Sequence, residues 1–119
     1  MDVCDQLSTK CLQRELNKAY CGFRPDPSEQ LCTVATGNWG CGAFGGNPGV
    51  KFLIQMMAAS EAKRPIFYFT FDDFKLARLI YEVTMFYVIY NMFHVLFKCD
   101  HSYFLNFTLK TILTRAKVI

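Results

Sequence analysis

The sequence has little surplus charge, no Cys-x-x-Cys pair and no long basic block, and each shortage removes a class of function. Lys and Arg total 13 against 10 Asp and Glu, a net charge of +3. That balance makes no polyanion-binding stripe, and Lys63-Arg64 and Arg115 with Lys117 read as short solvated patches. The six cysteines are Cys4, Cys11, Cys21, Cys32, Cys41 and Cys99. Cys99 and His101 form the closest metal-like pair, and two ligands do not make a zinc site. The start lacks the basic segment and apolar core of a secretory signal. The expectation is reduced thiols in a cytoplasmic or nuclear setting, with no metal and no cofactor. In that setting the glycosylation sequon Asn106-Phe107-Thr108 carries no meaning.

What is present is apolar and aromatic, with twelve Phe and six Tyr in 119 residues, enough chain for one domain. The densest feature is residues 35–46, Ala-Thr-Gly-Asn-Trp-Gly-Cys-Gly-Ala-Phe-Gly-Gly, with five glycines and the single tryptophan. An apolar run, residues 31–36, leads into it and reads as a buried strand. A helix follows. Asn47 suits its N-cap and Pro48 its first position, and Val50, Leu53, Ile54, Met57 and Ala58 make one apolar face, with Lys51, Gln55 and Glu61 elsewhere. Lys63-Arg64-Pro65 ends it. Residues 66–71, Ile-Phe-Tyr-Phe-Thr-Phe, form the strongest strand. Strand, helix and strand make a βαβ unit with parallel strands and a right-handed crossover. A glycine-dense turn between a strand and a helix lets backbone N–H groups approach a phosphate, and ligands of such sheets sit at the strands' carboxyl ends.

Elsewhere the signals are weaker. Residues 1–11 show little periodicity and read as a frayed start or the edge of something larger. Residues 13–20 read as a short helix stopped by Cys21-Gly22, and residues 24–30 as a surface loop. Asp72-Asp73 opens a helix through Leu76, Leu79, Ile80 and Val83. Residues 83–97 are apolar almost all round, yet about 20 apolar residues, the length of a bilayer span, are reached from Leu79 only by including Glu82. Core or interface is the preferred reading there. Residues 99–119 offer a strand at 103–107 and a basic end. There is no internal repeat.

Residues 34–46, Val-Ala-Thr-Gly-Asn-Trp-Gly-Cys-Gly-Ala-Phe-Gly-Gly, resemble the glycine loop of poly(ADP-ribose) glycohydrolases. Residues 14–23, Arg-Glu-Leu-Asn-Lys-Ala-Tyr-Cys-Gly-Phe, resemble the segment that precedes that loop. Leu53-Ile-Gln55, Ala58-Ala59 and Tyr68-Phe-Thr-Phe71 resemble the helix and strand that follow it. The resemblance covers residues 13–81, between a divergent edge at 1–12 and a divergent apolar, helical tail at 82–119. It implies a partial macrodomain-type α/β fold, a mixed sheet with the βαβ unit, and hydrolysis of ribose–ribose bonds in poly(ADP-ribose). The implied partners are poly(ADP-ribose), ADP-ribose and poly(ADP-ribosyl)ated proteins. The implied diphosphate and ribose contacts are Asn38, Trp39, Gly40, Cys41, Gly42 and Ala43, with Phe44 near the distal ribose and Phe71 on the adenine side. Three departures stand out. Asn47 replaces an Asp and can still cap. Asp72-Asp73 replaces Gly-Asp, a change tolerated if Asp72 needs no positive φ. The family's Gly-Gly-Gly and Gln-Glu-Glu catalytic segment has no counterpart in this sequence.

Glycosidic cleavage needs a carboxylic acid at the leaving oxygen. Of the ten carboxylates only Asp72 and Asp73 lie at a strand's carboxyl end. They could act as acid and base; capping the next helix is the preferred reading. No catalytic residue is assigned. Cys41 lies where a thiol pKa can fall, though filling the loop as a small residue suits it better. Trp39 could stack on a base or pack under the loop, and Phe44 is open between core and ligand. His94, within an apolar run, reads as a packed histidine.

Overall fold

The structure, a computed structural model, describes residues 2–28 and 32–96, without the side chains of 91 and 93–96. The expectations for Cys99, His101, the strand at 103–107, the sequon and the His94 side chain lie outside the described residues.

Two helices open the chain. Helix α1, Val3–Gln6, lies in the stretch read as a frayed start or the edge of something larger, and it buries Gln6. Helix α2, Thr9–Phe23, is longer than the expected 13–20 at both ends. Ser8 caps it early, its hydroxyl oxygen accepting the Cys11 N–H at 3.4 Å. Gly22 does not stop it. The stop is Pro25, which drives Arg24 to ψ 121° and out of the helix. Leu12, Leu16, Ala19, Tyr20 and Phe23 recur on one face and pack on Val50, Ile54 and Ala58 of the next helix.

Strands β1, Val34–Thr36, and β2, Ile66–Tyr68, pair in parallel in the register Val34 to Ile66, Ala35 to Phe67 and Thr36 to Tyr68. Helix α3, Pro48–Glu61, connects them, giving the expected parallel βαβ unit. Its cap is as expected: Asn47 Oδ1 accepts the Val50 N–H at 3.1 Å, with Pro48 behind it. At its end Lys63 turns left-handed, φ 55°, so that the Arg64 N–H reaches Ala59 O at 2.9 Å and the Lys63 N–H reaches Ser60 O at 3.1 Å. Those two bonds satisfy carbonyls the helix leaves free.

The buried face of α3 differs from the expected stripe. Lys51, Phe52, Ile54, Gln55, Ala58 and Ala59 are buried, whereas Leu53 and Met57 are exposed. The reason is that α3 is covered from two sides. α2 takes Ile54 and Ala58, while Phe52 faces Tyr68, Leu76 and Ile80. Lys51 and Gln55 enter because each finds a partner inside, Glu15 for the first, and Thr36 and Gly37 for the second.

β2 is shorter than the expected 66–71. After Tyr68 the chain turns: Phe71 and Asp72 are both left-handed, φ 52° and 63°, and the Asp73 N–H closes back on Thr70 O at 3.1 Å. Helix α4, Phe74–Leu96, then starts on Asp73, whose Oδ1 accepts the Leu76 N–H at 3.0 Å. Leu76 and Ile80 join the core beside Phe52 and Tyr68, whose rings meet edge to face at 5.2 Å. Beyond Thr84, Met85, Phe86, Ile89, Tyr90 and Met92 are exposed. Among the described residues no helix is long and apolar enough to cross a membrane. The fold is α/β, and the sheet among those residues is the parallel pair alone, with both outer edges unpaired.

Candidate functional site

The glycine loop hangs between β1 and α3 and is tied at both ends. At its entry Gln55 donates from Nε2 to Gly37 O at 3.0 Å and accepts the Thr36 hydroxyl, so one buried amide fixes the strand end and the first glycine. Tyr68 donates its hydroxyl to Asn38 Oδ1 at 3.0 Å. Burial first, and then the neighbouring Cys41, pushes the Tyr68 hydroxyl above its ordinary value, which keeps it a donor. At the loop's exit Gln6 spans two backbone groups: its Nε2 donates to Gly45 O at 3.3 Å, and its Oε1 accepts the Asn47 N–H at 2.8 Å.

Inside the loop, Gly40 has φ 72° and its carbonyl accepts the Gly46 N–H at 2.9 Å. A side chain at Gly46 would put its Cβ 2.6 Å from that carbonyl oxygen, so only glycine closes this bridge. The Trp39, Cys41 and Gly45 N–H groups bond within the loop. Those of Gly42, Ala43 and Phe44, three in succession, find no acceptor among the described residues.

Beneath the loop lies a cluster absent from the sequence expectation. Glu15 receives Lys51 Nζ at 2.6 Å, Lys18 Nζ at 3.0 Å and Arg14 Nε at 3.1 Å. Burial works to raise the Glu15 pKa, but the Lys51, Lys18 and Arg14 donors outweigh it together and hold the carboxyl at about 2. The same Lys51 ammonium lies 4.3 Å from the centroid of the Trp39 ring.

The expected site residues fall into two groups. On one side Trp39, Gly40 and Phe44 line a cavity of about 310 Å³ with Gln6, Cys11, Arg14, Glu15, Lys18 and Lys51. On the strand-end side stand Asn38 and Phe71, the latter with its ring edge against Gly37. Phe44 is 85% exposed and Phe71 71% exposed, so neither is core; Trp39, at 38%, is half-covered. Gly42 and Ala43 are exposed at the loop's tip. Cys41 is half-buried, its thiol facing Trp39 O at 3.6 Å. Burial pushes that thiol upward, with Lys51 offsetting only part, so a lowered cysteine pKa is not what the loop produces. Asp73 is the helix cap. Asp72 does adopt positive φ, the condition under which replacing the family glycine is costly. Among the described residues no group of His, Cys, Asp and Glu could hold a metal ion.

The family model for poly(ADP-ribose) glycohydrolase, macro domain fold, matches residues 1–78. The chain belongs to the poly(ADP-ribose) glycohydrolase family. Poly(ADP-ribose) glycohydrolase 2 of Caenorhabditis elegans is 42% identical over 80 residues, 66% of this chain and 16% of that protein. Poly(ADP-ribose) glycohydrolase 1 of the same animal is 40% identical over 74 residues, 61% of this chain and 10% of that protein. Poly(ADP-ribose) glycohydrolase 1 of Arabidopsis thaliana is 64% identical over 39 residues, 32% of this chain and 7% of that protein. The chain therefore spans 16% or less of the length of these glycohydrolases.

Sequence reasoning missed Gln6, Glu15, Lys51 and Gln55. The available signal was Lys51 and Gln55 standing at i and i+4 beside Ile54 and Ala58, polar residues on a stripe that is otherwise apolar.

Proposed function

We propose that this chain carries the diphosphate-holding half of an ADP-ribose site and binds ADP-ribose or the ends of poly(ADP-ribose). The observation that carries the reading is the run of acceptor-free N–H groups at Gly42, Ala43 and Phe44, just ahead of a helix N-terminus. Successive N–H groups of this kind form an anion-binding concavity, and the helix dipole adds to it. In this reading the Gly42, Ala43 and Phe44 N–H groups take the diphosphate, with Gly40 and Cys41 shaping the loop beside it. Asn38, whose amide nitrogen donates to nothing among the described residues, takes the adjoining ribose. Trp39 and Phe44 face the sugar side and Phe71 the adenine. Phe71 is an exposed aromatic in left-handed backbone, and strain of that kind gathers at ligand contacts. Its partners in this reading are poly(ADP-ribosyl)ated proteins of the nucleus or cytoplasm.

Binding without cleavage is favoured for the chain alone. A glycosidic acid must be protonated near neutral pH. Glu15 is held ionised by its three cations, and Asp73 is committed to its helix. Incubating the chain with labelled poly(ADP-ribose) tests this: release of ADP-ribose is expected at background. Turnover that disappears in Asp72→Ala or Asp73→Ala would instead make that pair the acid and base.

A further inference from the structure

Lys51 touches more of the glycine loop than its partner Glu15 requires. Its ammonium lies 2.6 Å from Glu15 Oε2 and 4.3 Å from the Trp39 ring centroid. A Cβ on Gly40 would meet Lys51 Cε and Nζ at 3.4 Å, and one on Gly46 would meet Lys51 Cε at 3.1 Å. The lysine tip therefore fills the space under the Gly40–Gly46 bridge. The other Glu15 oxygen accepts Arg14 Nε at 3.1 Å and Lys18 Nζ at 3.0 Å, so both carboxylate oxygens are engaged.

We propose that Lys51, fixed by Glu15, is the positioning group of the glycine loop: it pins the Trp39 ring and props the Gly40–Gly46 bridge before any ligand arrives. A glycine-rich loop ordered only on binding would lose affinity to its own ordering entropy. A buried ion pair adds little stability over apolar packing, so its use here is to hold geometry. What the loop binds rests on the ADP-ribose reading; how the loop is held does not.

The test uses the full chain and its only tryptophan, Trp39, as reporter. Lys51→Met removes the cation. Because it leaves Glu15 short of a partner, it is run beside the Glu15→Gln/Lys51→Met double variant, which removes both charges at similar volume. Lys51→Arg keeps a cation over the ring. Arg78→Gln, which breaks only an exposed pair with Glu82, is the control. Far-UV circular dichroism checks folding, and acrylamide quenching and near-UV dichroism read Trp39. Calorimetry with ADP-ribose reads the loop. The double variant is expected to stay folded, to show Trp39 about twofold more open to quencher and to bind ADP-ribose about tenfold more weakly. The Arg78→Gln control is expected to match the parent, and Lys51→Arg to keep Trp39 closer to the parent than the double variant does. A folded double variant with parental quenching overturns the proposal, and so does a folded Lys51→Arg chain as open to quencher as the double variant. If the parent takes up no ADP-ribose, the ADP-ribose reading fails, and Trp39 quenching by itself still decides whether Lys51 positions the loop.

Discussion

The Glu15 carboxylate and the Lys51 ammonium meet at 2.6 Å, with their side chains only 10% and 11% exposed, across the α2–α3 interface. The pair joins residues 36 positions apart, and it gives the fold an acid-sensitive joint. Glu15 titrates near 2 when folded against an ordinary 4.5. A carboxyl depressed by folding binds fewer protons folded than unfolded between those values. Its contribution is complete above about pH 4.5 and is lost as pH falls toward about 2. Urea unfolding between pH 5 and 2 should show that fall. The Glu15→Gln chain should be less stable at neutral pH and show a flatter profile over the same range.

Two loop glycines should separate cleanly. Alanine at Gly46 would place its Cβ 2.6 Å from the Gly40 carbonyl oxygen, a backbone atom with no room to yield. Gly46→Ala is expected to destabilise by about 1–3 kcal/mol. A Cβ at Gly42 meets nothing within 4 Å, so Gly42→Ala should leave the unfolding midpoint unchanged. Thermal unfolding of the two variants compares them directly.

Asp72 sits at φ 63° beside Phe71 at 52°. A side-chain-bearing residue in that region is disfavoured by about 1 kcal/mol, and glycine is not. Asp72→Gly is expected to raise stability by about 1 kcal/mol, read from the denaturation midpoint. Loss of stability instead would mean that the Asp72 side chain holds the turn.

Features specified within a few residues were legible in the sequence. Asn47-Pro48 announces a helix start, Asp73 caps the helix that follows it, and two short apolar runs around a helix of crossover length predict parallel strands. The glycine spacing placed the loop, and the flanking motifs placed its family. Features specified by distant partners were hidden. Gln6 reaches Gly45 and Asn47 across 39 and 41 positions, and Gln55 reaches Thr36 and Gly37 across 19 and 18. A reading by polarity sends such residues to the surface, because nothing local names the distant partner, even where, as at Gln55, the position beside an apolar stripe hints at burial. The end of β2 was hidden for a different reason. Residues 66–71 are aromatic and β-branched nearly throughout, which favours a strand, yet the closure of Asp73 on Thr70 requires left-handed backbone at Phe71 and Asp72.

The central claim is that the acceptor-free N–H groups of Gly42, Ala43 and Phe44, with Phe71 beside the strand ends, form a place for ADP-ribose. Calorimetric titration of the folded chain with ADP-ribose tests it most directly. The account predicts saturable one-to-one binding that weakens about tenfold in Phe71→Ala, the loss of one stacked ring. No binding heat from a chain whose circular dichroism shows it folded, or equal affinity with and without the Phe71 ring, would contradict it.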